Sequence, residues 1–107
     1  MSGNSIDETT SDAAASPQPM ARRVATICNQ RGLHARAAAR FVKTAGQFDA
    51  EVVVRKNGTE VSGRSIMGLM MLAAAPGTVI ELAATGRQAE AALIALTKLI
   101  ECKFDEE

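Results

Sequence analysis

Two adjacent residues near the middle of the chain, Asn57 and Gly58, separate two segments that each resemble a β-strand. The first segment covers residues 50–56 and contains three successive valines, and the second covers residues 59–64. An Asn-Gly pair favours a two-residue hairpin turn, because both turn positions need a positive φ angle that these residues adopt at little cost. We therefore expect a central pair of antiparallel strands, which favours an antiparallel or mixed sheet.

Hydrophobic periodicity predicts the remaining secondary structure. Strands are predicted over residues 22–28 and 78–83, and helices over residues 35–45, 66–75 and 88–103. Ser65 is the candidate N-cap of the short second helix, and Pro76-Gly77 is expected to end it. The resulting order, βαββαβα, predicts an α+β domain whose helices pack on one face of the sheet.

Length and composition exclude several classes of protein. The 107 residues suit one domain, and no apolar run approaches the ~20 residues that a membrane span needs. The absence of Trp and Tyr gives little support to stacking on nucleic-acid bases. One His and two distant cysteines form neither a metal site nor a disulfide framework, and we expect Cys28 to be a core residue. No signal peptide is recognisable, so the expectation is a cytoplasmic domain without cofactor, metal, nucleic acid or inserted membrane segment.

Charge is distributed unevenly, although the chain is neutral overall. Residues 1–19 carry three acidic residues and no basic one, which predicts a disordered acidic tail ahead of a domain over residues 20–107. From Ala13 to Phe48 there is no acidic residue, whereas six basic residues and the only histidine, His34, lie in that stretch. This basic region is consistent with a solvated surface, and equally with a site for an anionic ligand or an acidic partner.

His34 lies in the segment Gly32-Leu33-His34-Ala35-Arg36, where the first helix is predicted to begin. The backbone N–H groups of a first helical turn have no partner within the helix and attract anions. The same positive helix end disfavours a protonated imidazole, and Arg36 can bind two oxygens of an anion at once. These groups suit a histidine that is phosphorylated covalently. The alternative is a histidine that only caps the helix or is exposed without a role.

The segment GLHARAAARFVKTA strongly resembles HPr, the histidine-containing phosphocarrier family of the bacterial phosphoenolpyruvate-dependent phosphotransferase system. The Asn-Gly hairpin, the segment GRSIMGLMML, the PGT segment before a strand and the spacing of His34 and Ser65 agree with it. The resemblance implies an open-faced β-sandwich of four antiparallel strands with three helices on one side.

The resemblance also implies roles for individual residues. His34 would accept a phosphoryl group on Nδ1 from enzyme I and pass it to a histidine of an enzyme IIA component, while Arg36 steadies the phosphate. Ser65 would be modified by HPr kinase/phosphorylase. The chain would be a monomeric carrier rather than an enzyme. Surface positions that meet partners would be Ala35, Ala39, Arg40, Lys43, Ile66, Met67 and Met70.

Position 37 departs from the family pattern, because Ala37 stands where proline is usual. We expect the alanine to loosen the first helical turn and to add an N–H that can contact the phosphate. In the second helix, we expect Met67 and Met70 outside, with Leu69 and Leu72 inside.

Two other functions remain open. One is a regulatory module, as in the nitrogen branch of the system, whose phosphorylation state controls target proteins instead of sugar uptake. The other is a small hydrolase with His34 as general base, for which the sequence offers no evident nucleophile or oxyanion partner.

Overall fold

The computed structural model describes residues 20–106 of the chain. The strands and helices are β1 (Met20–Thr26), α1 (Ala35–Ala45), β2 (Glu51–Lys56), β3 (Thr59–Ser62), α2 (Ile66–Met71), β4 (Val79–Thr85) and α3 (Ala89–Glu101), and a short 3₁₀ turn (Lys103–Asp105) follows them. The βαββαβα order predicted from periodicity is confirmed. The predicted acidic tail, residues 1–19, lies outside the described residues.

The four strands form one antiparallel sheet in the order β1-β4-β2-β3. Residues on one face are buried in register across it: Ala21 lies opposite Ala84, which in turn lies opposite Val52. Alternate residues such as Met20 and Val24 are exposed on the other face. The helices cover only the buried face, which confirms the predicted open-faced β-sandwich, and the core lies between these two layers.

The hairpin between β2 and β3 forms as the Asn-Gly pair predicts. Asn57 has a φ angle of 50° and Gly58 one of 82°. Both central residues therefore have positive φ, which matches the twist of the adjoining strands.

Helix α2 is shorter than its apolar sequence predicts, since it ends at Met71 and not at residue 75. The Lys56 ammonium group donates hydrogen bonds to the carbonyl oxygens of Leu72 and Ala73, at 2.8 and 3.2 Å. Ala73 itself has a φ angle of 53°, which turns the chain out of the helix. A side chain from β2 therefore takes the place of further helical hydrogen bonds at this end.

The side chains of α2 divide between core and surface as the sequence predicts. Leu69 and Leu72 are buried, whereas Met67 is 70% exposed and Met70 39%. A single short helix above a sheet cannot bury its whole circumference, so part of its apolar surface remains exposed.

The expectation that Cys28 belongs to the core is wrong. The strand ends at Thr26, and Cys28 is exposed, although its thiol donates to the Ile100 carbonyl oxygen at 3.4 Å. Cys28 continues the alternation of Val24 and Thr26, which are exposed, so only its residue type had suggested burial. Within residues 20–106, no helix is both long and apolar enough to cross a membrane.

Candidate functional site

The loop before α1 is fixed by two hydrogen bonds within it and by one to the rest of the domain. The side-chain amide of Asn29 donates to the Gly32 carbonyl oxygen at 2.8 Å, and the Gly32 N–H donates to the Asn29 carbonyl oxygen at 3.2 Å. The Leu33 N–H donates to the Ala74 carbonyl oxygen at 3.0 Å. Asn29 and Leu33 are buried. The loop therefore enters α1 in a defined direction.

His34 occupies the N-cap position of α1. Its carbonyl oxygen accepts the first helical hydrogen bond, from the Ala38 N–H at 2.9 Å. Its Nδ1 atom accepts a longer hydrogen bond, 3.3 Å, from the Arg36 N–H. The side chain is 23% exposed, so solvent still reaches the ring. His34 thus caps the helix and also presents Nδ1 at the helix end that attracts anions.

A carboxylate that the sequence analysis did not single out lies beside the histidine. Glu106 makes a hydrogen bond with His34 Nε2 through one oxygen, and its other oxygen accepts from the Asn29 amide at 3.1 Å. The two ring nitrogens of His34 therefore have different partners, a backbone N–H on one side and a carboxylate on the other. The sequence held one weak signal for this contact, namely the acidic chain end of a domain with an otherwise basic site.

An unusual turn brings Glu106 to this position. Three successive residues after α3, Lys103, Phe104 and Asp105, have φ angles of 57°, 57° and 60°. Such angles cost about 1–2 kcal/mol for each residue that is not glycine. The Phe104 side chain is fully buried, which offsets part of this cost. The chain is therefore anchored in the core at Phe104, two residues before Glu106.

The environment of Glu106 favours its ionised form. Burial disfavours the charge, but hydrogen bonds from Asn29 and His34 outweigh that effect, together with the positive charges of protonated His34 and of Arg31. The pKa of Glu106 is therefore held below its usual value.

This lowered pKa predicts an acid-dependent loss of stability. The ionised carboxylate stabilises the fold at pH values above the ordinary value of 4.5, and the stabilisation is lost as the pH falls further towards the folded-state pKa. Urea denaturation should therefore show a stability difference between wild type and Glu106→Gln at about pH 7 that shrinks by about pH 3.5. An equal difference at both pH values would contradict the prediction.

Arg36 and Arg31 provide positive charge beside the histidine. Together with Gln30 and Glu106 they line a cavity of about 280 Å³. Both arginines are exposed, and the Arg36 guanidinium makes no ion pair or hydrogen bond with any of residues 20–106. It is therefore available for an anionic ligand at this surface.

Ala37 does not contribute the extra amide contact that the sequence suggested. The residue lies in the first turn of α1 and is fully buried, so its N–H is not open to a ligand in this structure.

Ser65 is the N-cap of α2, as the sequence predicts. Its hydroxyl oxygen accepts a hydrogen bond from the Gly68 N–H at 2.9 Å. The residue is half-buried, and two exposed apolar residues, Ile66 and Met67, follow it.

The predicted partner-contacting residues of α1 and α2 are accessible to different degrees. Helices α1 and α2 pack against each other. Ala39 is half-buried, and Arg40 forms an exposed ion pair with Asp105 at 3.8 Å. Met71, which was not among the predicted partner-contacting residues, is 76% exposed and enlarges the apolar surface of α2. The other positions are exposed: Ala35, Lys43, Ile66, Met67 and Met70.

Comparison with known proteins gives one consistent answer. The family model described as "PTS HPr component phosphorylation site" matches residues 21–102. The phosphocarrier protein HPr of Neisseria meningitidis serogroup A is 54% identical over 87 residues, which cover 81% of this chain and 98% of that protein. The phosphocarrier protein NPr of Shewanella violacea is 44% identical, covering 78% of this chain and 92% of that protein.

A solved structure agrees with these relatives. The crystal structure of HPr-C-His from Thermoanaerobacter tengcongensis superimposes with a TM-score of 0.78 at 45% sequence identity, covering 81% of this chain and 98% of that one. The fold, the family match and the relatives over almost their whole length thus lead to the same assignment. The chain belongs to the HPr family of phosphocarrier proteins of the phosphotransferase system.

Proposed function

We propose that His34 accepts a phosphoryl group on Nδ1 from phosphorylated enzyme I, and ultimately from phosphoenolpyruvate, and passes it to a histidine of an enzyme IIA component. The family consists of carriers rather than enzymes, and His34 would be consumed and regenerated in each cycle. The observation that carries the proposal is the placement of Nδ1 at the start of α1, next to the Arg36 N–H. The other ring nitrogen is occupied by Glu106.

Phosphoryl transfer from enzyme I to His34 needs no further reactant, because one N–P bond forms as another breaks. The Nδ1 lone pair attacks phosphorus, and the bond between phosphorus and the donor histidine breaks with its electron pair returning to the donor ring. Nδ1 releases the Arg36 N–H as the new bond forms, and that N–H is then able to donate to a phosphoryl oxygen. The Arg36 guanidinium can bind two further oxygens and balance their charge.

We assign partner docking to the exposed surface of α1 and α2. It combines the positive charges of Arg36, Arg40 and Lys43 with apolar side chains of α2, chiefly Met67 and Met70. Positive charge favours approach of acidic partners, and flexible methionines adapt to more than one partner. We expect enzyme I and enzyme IIA components to use this surface in turn, with the carrier acting as a monomer in the cytoplasm.

Labelling tests this function directly. The full chain is incubated with phosphoenolpyruvate and enzyme I, and the expected product is an acid-labile adduct of one phosphoryl group that peptide mapping assigns to His34. Addition of an enzyme IIA component should then remove the label from the carrier. A chain that is never labelled, although enzyme I itself is phosphorylated, would refute the proposal.

The nitrogen-regulatory branch is a second candidate, because a protein named NPr is among the relatives. In that case the phosphorylation state of the carrier would control target proteins instead of sugar uptake. To separate the sugar-uptake branch from the nitrogen-regulatory branch, the labelled carrier is incubated with the enzyme IIA components of the same cell. The component that accepts the phosphoryl group fastest identifies the branch.

We also propose Ser65 as a regulatory phosphorylation site for HPr kinase/phosphorylase. A phosphate there would lie at a helix N-terminus, where negative charge is tolerated. It would also stand next to exposed Ile66 and Met67. The fold would therefore persist, while acidic or apolar partners would dock less well. Incubation with the kinase and ATP tests this, and Ser65→Ala should then remain unlabelled.

The N-cap role of Ser65 predicts a measurable effect on stability. Ser65→Ala removes the acceptor for the Gly68 N–H and should lower the free energy of unfolding by about 1 kcal/mol. Ser65→Asp retains an acceptor and should lie close to wild type. Urea denaturation measures both variants, and equal stability of Ser65→Ala and wild type would contradict the assigned cap.

A further inference from the structure

We propose that Glu106 is a positioning residue for phosphoryl transfer, because its carboxylate holds the His34 ring in the tautomer that leaves Nδ1 available to attack phosphorus. This inference rests on the proposed function of His34 and adds to it a residue that lies beyond the matched range 21–102. The contacts of the two ring nitrogens of His34 support this role.

The partners of the two ring nitrogens determine where the proton lies. An ionised carboxylate can only accept a hydrogen bond, so His34 Nε2 must carry the hydrogen that points at Glu106. The Arg36 N–H can only donate, so Nδ1 must carry a lone pair. Both contacts favour the same neutral tautomer, in which Nδ1 is the nucleophile.

Asn29 holds the carboxylate in turn. The side chain is fully buried, and its amide nitrogen donates to Glu106 and to the Gly32 carbonyl oxygen. Because both of these partners are acceptors, the amide cannot be reversed without losing both hydrogen bonds. The amide oxygen of Asn29 has no partner among residues 20–106. A buried amide with an unsatisfied oxygen is costly, and here its orientation serves the two donor contacts.

The backbone just before Glu106 supports the same role for its carboxylate. Three successive positive φ angles and the buried Phe104 ring bring the chain end back to the site. Backbone strain of this kind persists only where surrounding contacts maintain it, and it concentrates at functional sites. The contact of Glu106 with His34 is thus built by an anchored turn and does not depend on a freely moving side chain.

Chemically, the carboxylate contributes most after the new bond begins to form. Attack by neutral Nδ1 leaves the Nε2 proton in place, so the ring gains positive charge as the N–P bond forms. Glu106 stabilises that charge through the hydrogen bond it already makes. When the phosphoryl group leaves for the next acceptor, the electron pair returns to Nδ1 and the ring becomes neutral again.

Glu106→Gln is the informative substitution because it keeps the size of the side chain but removes its charge and one acceptor oxygen. The two donors, His34 Nε2–H and Asn29 Nδ2, need two acceptor oxygens. A glutamine offers only one, so one of the contacts must be lost. Glu106→Ala removes both. Glu101→Gln is the matched control, since Glu101 is an exposed carboxylate in α3 with no hydrogen bond or ion pair to any of residues 20–106.

The first measurement is the tautomer of His34 in the unphosphorylated chain. His34 is the only histidine, so the ring ¹⁵N signals are unambiguous. Wild type and Glu101→Gln should show a predominant Nε2–H form, whereas Glu106→Gln and Glu106→Ala should show a mixture. An unchanged spectrum in Glu106→Ala would overturn the proposal. This readout is independent of folding stability, as long as the variant is folded.

The second measurement is the rate of His34 phosphorylation by phosphoenolpyruvate and enzyme I under single-turnover conditions. Both Glu106 variants should be about tenfold slower than wild type, the size expected for losing one hydrogen bond to a charged group. Glu101→Gln should match wild type. Glu106 variants that transfer at the wild-type rate, or faster, would overturn the proposal even if the tautomer had changed.

The two proposals fail in different ways. If wild type were never labelled, His34 would not be the carrier residue, but the tautomer measurement would still report on Glu106. If wild type were labelled and the Glu106 variants behaved as Glu101→Gln, the carrier function would stand and the positioning role would be refuted.

Discussion

Replacing His34 with alanine should abolish phosphoryl labelling by phosphoenolpyruvate and enzyme I. No other histidine exists in the chain to accept the group, and of residues 20–106 only His34 places an imidazole nitrogen at the start of α1. The expected result is complete loss of the acid-labile adduct, measured by intact-mass spectrometry.

The alanine variant needs a control, because His34 also caps α1. Loss of an N-cap side chain costs about 1 kcal/mol, which by itself changes the population of folded carrier very little. His34→Asn separates the two roles, since asparagine is among the best N-cap residues and offers no ring nitrogen. Both variants should remain unlabelled, while His34→Asn should be the more stable. An adduct of unchanged acid lability on His34→Asn would show that another residue is the acceptor.

Replacing Gly32 with alanine should lower the free energy of unfolding by about 3 kcal/mol. Gly32 has a φ angle of 67°, which disfavours any side chain, and a Cβ atom there would lie 2.4 Å from the Ala74 carbonyl oxygen. That oxygen also accepts the Leu33 N–H. The loop before His34 must therefore move, and the labelling rate should fall together with the stability measured by urea denaturation.

Gly58 provides the matched control for this substitution. It also has a positive φ, 82°, but a Cβ atom there would meet nothing within 4 Å. Gly58→Ala should therefore cost only the conformational term, about 1 kcal/mol. The difference in free energy of unfolding between Gly32→Ala and Gly58→Ala measures the cost of placing a Cβ atom close to the Ala74 carbonyl oxygen. Equal costs would mean that the loop accommodates a side chain without strain.

The comparison of sequence and structure shows which features depend on neighbours along the chain. The hairpin at Asn57 and Gly58, the N-cap at Ser65 and the position of His34 at the start of α1 were all predictable. Each depends on a few adjacent residues whose φ preferences or hydrogen-bonding groups act locally. The family resemblance came from the same local segments, and the family match over residues 21–102 confirms it.

Two features were mispredicted from the sequence. Helix α2 ends at Met71, and Lys56, from another strand, donates to the carbonyl oxygens of Leu72 and Ala73 just beyond that end. Cys28 is exposed because it continues the exposed side of the β1 alternation, although its residue type suggested the core. The end of α2 involves a contact between distant residues, whereas the alternation of β1 could have predicted the exposure of Cys28.

The amino-acid sequence by itself determined the order of elements, the hairpin, the two helix caps and the nucleophile that we propose, because these follow from short-range preferences. Only the tertiary structure decided which groups surround that nucleophile. Glu106 lies far from His34 and Asn29 along the chain, yet it contacts both. Such a contact has no local signature, because it arises only when the core buries Phe104 and turns the chain end back to the site.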